Sequence, residues 1–157
     1  MKNLSVYFLT AALGLSVLGG CKKDSETTPT PSKTDLLTAK SWKVTGDVTV
    51  ETTNGRATTT DNFTSYPTCE KDNFVKFSAD KKAVFDEGAI KCQGQNQSET
   101  GVWDFNSDQT KLTLGAPGSS MVGQFDIAEL SATTLKISQT ETANGTTEVS
   151  TVTFTAL

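Results

Sequence analysis

Between residues 111 and 137 the side chains alternate: Leu112 and Leu114 flank Thr113, Phe125 and Ile127 flank Asp126, and Leu135 and Ile137 flank Lys136. A period of two gives an extended strand one apolar and one wet face. The same short-segmented, Thr-rich texture predicts strands over 42–51, 56–64, 73–77, 83–90, 101–105, 111–114, 121–129, 134–140 and 146–155. Turn signals separate nearly all of them. Asn54-Gly55 and Asn144-Gly145 suit two-residue hairpins, whose central residues both need positive φ. Ala79-Asp80-Lys81-Lys82, Asn106-Ser107-Asp108, Ala116-Pro117-Gly118 and Ser131-Ala132-Thr133 supply further turns. Ahead of the first strand, Ser32 or Thr34 can cap a single helical turn over 35–40.

Connections this short leave no room for crossovers, so sequential strands pair antiparallel. A meander of eight or nine strands removes its exposed edges most simply by closing on itself. The expected fold class is therefore all-β: an antiparallel up-and-down barrel of about eight strands with a short N-terminal helical turn. The alternative, an immunoglobulin-like sandwich, wants a Trp between its paired cysteines. Here Trp42 precedes Cys69 and Trp103 follows Cys92, which favours the barrel.

The N-terminus has a different texture. A charged start at Lys2 leads into the uncharged stretch 4–18, then Gly19-Gly20-Cys21. The run is shorter than the ~20 residues of a membrane-spanning helix and ends in small residues, as a secretory signal peptide does. Leu18-Gly19-Gly20-Cys21 resembles the lipobox of bacterial lipoproteins, which implies cleavage before Cys21 and lipidation of its thiol. Acyl chains contribute about 0.8 kcal/mol per buried methylene, so several of them make a firm anchor. Residues 22–34 carry no large apolar side chain, and Pro29 and Pro31 favour extended backbone. At ~3.1 Å per residue this tether reaches about 40 Å. The expected organisation is a signal peptide over 1–20, a lipidated Cys and tether over 21–34, and one folded domain over 35–157. The Lys-Lys-Asp-Ser-Glu run after Cys21 is similar to charged surface-export tags of Bacteroidetes lipoproteins, which implies an outer-membrane location on its periplasmic or surface face.

Composition then narrows the chemistry. With no His, the chain cannot build a Ser-His-Asp or Cys-His catalytic arrangement or a His-ligated zinc site. A formal charge of −4 and a single arginine, Arg56, argue against a surface that tracks nucleic-acid phosphates. In an exported domain Cys69 and Cys92 are expected to form a disulfide, worth about 3 kcal/mol on the chain-entropy model. They lack the Cys-x-x-Cys spacing of a redox site. Asp104-Phe105-Asn106-Ser107-Asp108 opens like a calcium loop, but Gln109 stands where Gly should and Gly115 where Glu should, so a polar turn is expected and no metal. Asp86 and Glu87, adjacent on a strand, should point to opposite faces and not converge on a substrate. The segment 115–120 is Gly-rich but leads into a strand, without the helix N-terminus a phosphate loop requires.

The segments 36–44 (LLTAKSWKV), 69–77 (CEKDNFVKF), Cys92, 101–105 (GVWDF), 112–114 (LTL) and 125–137 (FDIAELSATTLKI) together resemble the lipocalin-like domains of Bacteroidetes lipoproteins. The Gly-x-Trp of the wider lipocalin family stands here as Lys40-Ser41-Trp42, without its Gly. The resemblance implies a small lipid-anchored barrel. The expected function is binding of a small apolar or amphipathic ligand, with Trp42, Trp103, Phe105 and Phe125 near it and tryptophan emission reporting it. The alternative is an interaction module that binds a protein or glycan through its loops, with 92–100 and 62–68, including Phe63 and Tyr66, as the contact segments. Neither reading calls for enzymatic activity, a cofactor or nucleic acid. The expected partners are the membrane, through the lipid, and the ligand, with the protein a monomer.

Overall fold

The computed structural model describes residues 30–115 and 122–157. The leader, the lipobox with Cys21, most of the tether and the 116–118 turn lie outside the described residues. Helix α1 (Lys33–Thr38) precedes nine strands: β1 (Ser41–Thr53), β2 (Arg56–Asp61), β3 (Phe74–Phe77), β4 (Lys82–Asp86), β5 (Ser98–Phe105), β6 (Lys111–Gly115), β7 (Val122–Leu130), β8 (Thr134–Ala143) and β9 (Thr146–Ala156). A 3-10 turn, Phe63–Ser65, occupies the end of the segment expected to continue β2. All pairings are antiparallel between neighbours, and β1 also pairs with β9 along nearly its whole length. The sheet thereby closes through β1 and β3 to β9 as an eight-stranded barrel.

Strand β1 holds three partners because it bends. Its first residues, Ser41 to Lys43, pair with β3, and its last, Val48 to Thr53, pair with β2. Between them a bulge at Thr45 interrupts the register with β9. A bulge adds one residue and resets which side chains face inward. Trp42 and Val44 face the core before it. After it, Asp47, Thr49 and Glu51 lie on the inner face, opposite Val152, Ser150 and Glu148. Beyond the bulge, β2, β1, β9 and the outer half of β8 form a four-stranded flange that rises above the barrel rim. The hairpins at its tip use Asn54-Gly55 and Asn144-Gly145, all four at positive φ, as their type demands. Hydroxyl pairs such as Thr49 with Ser150 and Thr53 with Thr146 join its central strands.

At the opposite end, α1 closes the barrel. Ser32 caps it with a reciprocal box: its hydroxyl accepts from the Asp35 N–H, and the Asp35 carboxylate accepts from the Ser32 N–H. The cap holds a helix of one and a half turns that could not persist alone. Leu37 thereby enters the core, where its carbonyl accepts the Trp42 indole N–H at 2.8 Å. Trp42, Phe77, Ala83, Trp103, Leu112, Leu135 and Ile137 complete this packed lower half. Among the described residues the buried core runs from Leu37 to Phe154.

Candidate functional site

The two ends of the barrel differ in how they are filled. At the closed end Trp42 and Trp103 are sealed, at 0% and 2% exposure. Trp103 meets the rings of Phe77 and Phe105 edge to face, at 5.8 and 5.3 Å. Its indole N–H donates to the Ser78 carbonyl, and the Lys81 ammonium lies 4.3 Å over its ring. Nothing the size of a ligand fits between these rings.

The open end holds a cavity of about 240 Å³. Val44, Val75, Phe85, Leu114 and Phe154 form its apolar wall, and Asn73, Asp86 and Glu87 border its mouth. Alternation delivers the wall: Val44 is two residues from Trp42, Leu114 two from Leu112, and Phe85 faces Val75 across β3 and β4. Room for Phe85 comes from Gly101. A Cβ there would lie 2.1 Å from the Gly115 carbonyl oxygen and 3.1 Å from the Phe85 ring. Trp42, Trp103, Phe105 and Phe125 do not line the cavity. Of the four, the first two belong to the core of the closed end, and Phe105 and Phe125 pack against it. The sequence favoured the largest rings, and large rings serve best where packing is tight.

Loops rim the mouth and are tied down. Cys69 and Cys92 form a disulfide, Cα to Cα 5.1 Å, that joins the β2–β3 and β4–β5 connections. Strand β4 stops at Asp86, four residues short of the expected end. Asp86 is still paired, with Phe74 and Ser98, and Glu87 lies just past the strand end; both residues border the mouth. Asp86 accepts from the Gly88 N–H and the Gln97 amide at 2.9 and 3.0 Å, and Glu87 accepts from the Cys92 N–H. With its amide oriented to satisfy the network, Asn73 donates to the Cys69 and Glu87 carbonyls. Asp72 accepts from the Ala89 and Ile90 N–H groups through one oxygen, while its other oxygen is buried without a hydrogen bond.

Above the mouth, the inner face of the flange is polar. The Tyr66 hydroxyl donates to Asp47 at 2.6 Å, and the Asn62 amide bridges Asp47 and Thr49. Burial, the Asp47 hydrogen bond and the negative charges of Asp47 and Glu70 push the Tyr66 phenol up to about 12. Phe63 packs on Tyr66 at 5.4 Å. The loop segments singled out in the sequence thus meet at the open end, although Phe63 and Tyr66 serve the loop's own packing. Asp104 and Asp108 sit at the other end. Asp104 pairs with Lys81 and Asp108 bonds Thr110, so the calcium-like spacing forms a turn. Among the described residues, no group of three or more Cys, Asp or Glu is arranged to hold a metal ion.

The barrel is closed by a helix at one end and hollow at the other, and the family model of a lipocalin-like domain matches residues 38–137. The chain belongs to the lipocalin-like domain family. Its barrel is in general a binding fold and not a catalytic one. No curated protein matches the chain. The family match ends within β8, and in the structure the rest of β8 and all of β9 complete the lipocalin-like barrel and half of its flange.

Proposed function

We propose that this lipocalin-like protein is a cell-envelope lipoprotein of the Bacteroidetes type, anchored at the outer membrane through Cys21, whose barrel takes a small apolar or amphipathic ligand through its open end. The cavity behind Asp86 and Glu87 carries this reading: it is apolar-walled and accessible, and it lies at the barrel end opposite α1, where the tether enters. An anchor attached there leaves the mouth free of the tether's point of attachment. At about 240 Å³ the cavity is smaller than the ~300–1,000 Å³ typical of sites for drug-sized ligands, so the occupant is small or partly inserted.

Calorimetric titration with short alkyl probes tests the cavity. Saturable binding with a negative heat-capacity change is the expected result. Tryptophan emission should stay silent, because both indoles are sealed in the closed end. Leu114→Trp should fill the cavity and abolish the binding. Loss of binding in loop variants such as Phe63→Ala, with none in Leu114→Trp, would replace this reading with recognition by the loops. For the anchor, Cys21→Ala should release the protein from the membrane fraction, and retention as firm as the parent's would overturn the assignment.

A further inference from the structure

Charge pairing divides the molecule along the barrel axis. The four ion pairs among the described residues, Lys81–Asp104, Lys82–Asp80, Lys111–Asp126 and Lys136–Glu129, all lie on the lower half. Among the described residues, the open-end carboxylates have neutral donors only. Asp86, Glu87 and Asp47 accept from amide, peptide and phenol groups, which leave the negative charge in place. Glu51, Glu148 and Glu141 stand directly opposite one another across three strands of the flange's inner face. Like charges in such positions destabilise a sheet. The cations described near this end form no ion pair with them: Lys43 lies on the outer face of β1, between inward-facing Trp42 and Val44. The Lys71 and Lys91 ammoniums donate to the Thr64 and Gln95 carbonyls, and Arg56 is at the start of β2 by the hairpin tip.

We infer that the ligand of the barrel is an amphipathic cation, such as an alkylammonium, with its apolar part against Val44, Phe85, Leu114 and Phe154 and its positive end toward the carboxylates of the mouth. This rests on the reading of the cavity as the binding site and adds the ligand's charge to it. An apolar wall alone would accept a fatty acid as readily as an amine. The rim separates them: a carboxylate head would meet Glu87 and Asp47, with the nearest rim ammoniums, Lys71 and Lys91, turned to the Thr64 and Gln95 carbonyls, whereas an ammonium finds several acceptors in a partly water-excluded cleft, where charges interact more strongly than in bulk water. The acidic flange above the mouth extends the field that would draw a cation in.

Three probes of one chain length, octylammonium, octanol and octanoate, separate the two claims in titrations of the protein at neutral pH and low salt. The expected order is octylammonium, octanol, octanoate, with about a tenfold step between the first and last for an interaction of ~1.4 kcal/mol. The preference should shrink as salt shortens the screening length from ~30 Å at 0.01 M to ~8 Å at 0.15 M. Glu141→Gln with Glu148→Gln, exposed positions that support no other element, should weaken octylammonium and leave octanol unchanged. Val44→Phe should exclude all three while the denaturation midpoint stays near the parent's. If octanoate or octanol binds as tightly as octylammonium, the charge assignment falls and the cavity reading stands. If octylammonium binds equally to Val44→Phe, its site is the acidic surface and the proposal is overturned. If none of the three binds, the cavity reading itself fails.

Discussion

The closed and open ends of this barrel are built from the same strands and do opposite things. At the closed end Trp42, Trp103, Phe77 and Leu37 fill the interior, and surface carboxylates are matched with lysines. At the open end the interior is hollow, the loops are cross-linked, and carboxylates stand without cations. Rings packed against rings contribute to stability; rings facing a void forfeit part of that contribution and leave room for something else. The same division, between what holds a fold and what it holds, explains why the most conspicuous aromatic residues of the chain are not those that line its cavity.

The largest expected effect sharpens this contrast directly. Trp42→Ala should lose about 3–5 kcal/mol in urea denaturation, because it empties a fully enclosed site. Phe85→Ala should lose clearly less, since one side of that ring already faces the cavity. Equal losses would erase the distinction. Next, reduction of the Cys69–Cys92 bond should cost about 3 kcal/mol on the chain-entropy model. In NMR spectra it should shift the amides of Asn73 and Glu87 while those of Trp42 and Trp103 stay in place. Ser32→Ala should remove the cap of α1 for about 1 kcal/mol, read from the same denaturation curves.

The smallest effects are titrations, and they differ in sign between the ends. Hydrogen bonds to Ser32, Lys82, Lys81 and Thr110 hold the carboxyls of Asp35, Asp80, Asp104 and Asp108 below their ordinary value, all four at the closed end. A lowered carboxyl contributes stability that is present above its unfolded value of about 3.8 and lost as pH falls through the folded one. Acid should therefore loosen the α1 end first, seen as earlier amide exchange of Leu36 and Leu37. Tyr66 at the open end is raised, so its contribution is present below its ordinary value of 10.0 and lost as pH rises toward about 12. The difference in alkaline absorbance between the parent and Tyr66→Phe isolates its titration, and Asp47→Asn should bring the midpoint down.

Much of the fold is readable in the chain because its signals are local. The Asn-Gly hairpins, the Ser32 cap and the period-two strands each depend on a few neighbouring residues, and each is where those residues place it. The cavity was less readable because it depends on where alternation stops. The bulge at Thr45 turns Asp47, Thr49 and Glu51 inward, and the early end of β4 frees Glu87, yet neither event has a composition signal. Val44, Leu114 and Phe85 were visible as apolar positions in strands. What distinguishes them from Trp42 or Leu112 is only their height along the barrel, which is a property of register across strands.

The pairing of β1 with β9 sets a condition on how the chain folds. Thr45 and Thr155 exchange a hydrogen bond across a sequence separation of 110 residues, so the barrel's seam joins nearly the first and last residues of the domain. Each hairpin can form within microseconds, but the seam must wait for the longest loop in the molecule to close. Until it does, β1 offers an unpaired edge, and the final strand is the piece without which no intermediate is sealed. A chain cut short before β9 would keep most of its local contacts and still present two open margins to its neighbours, so the last eleven residues of strand govern whether the product is a monomeric barrel or an aggregate.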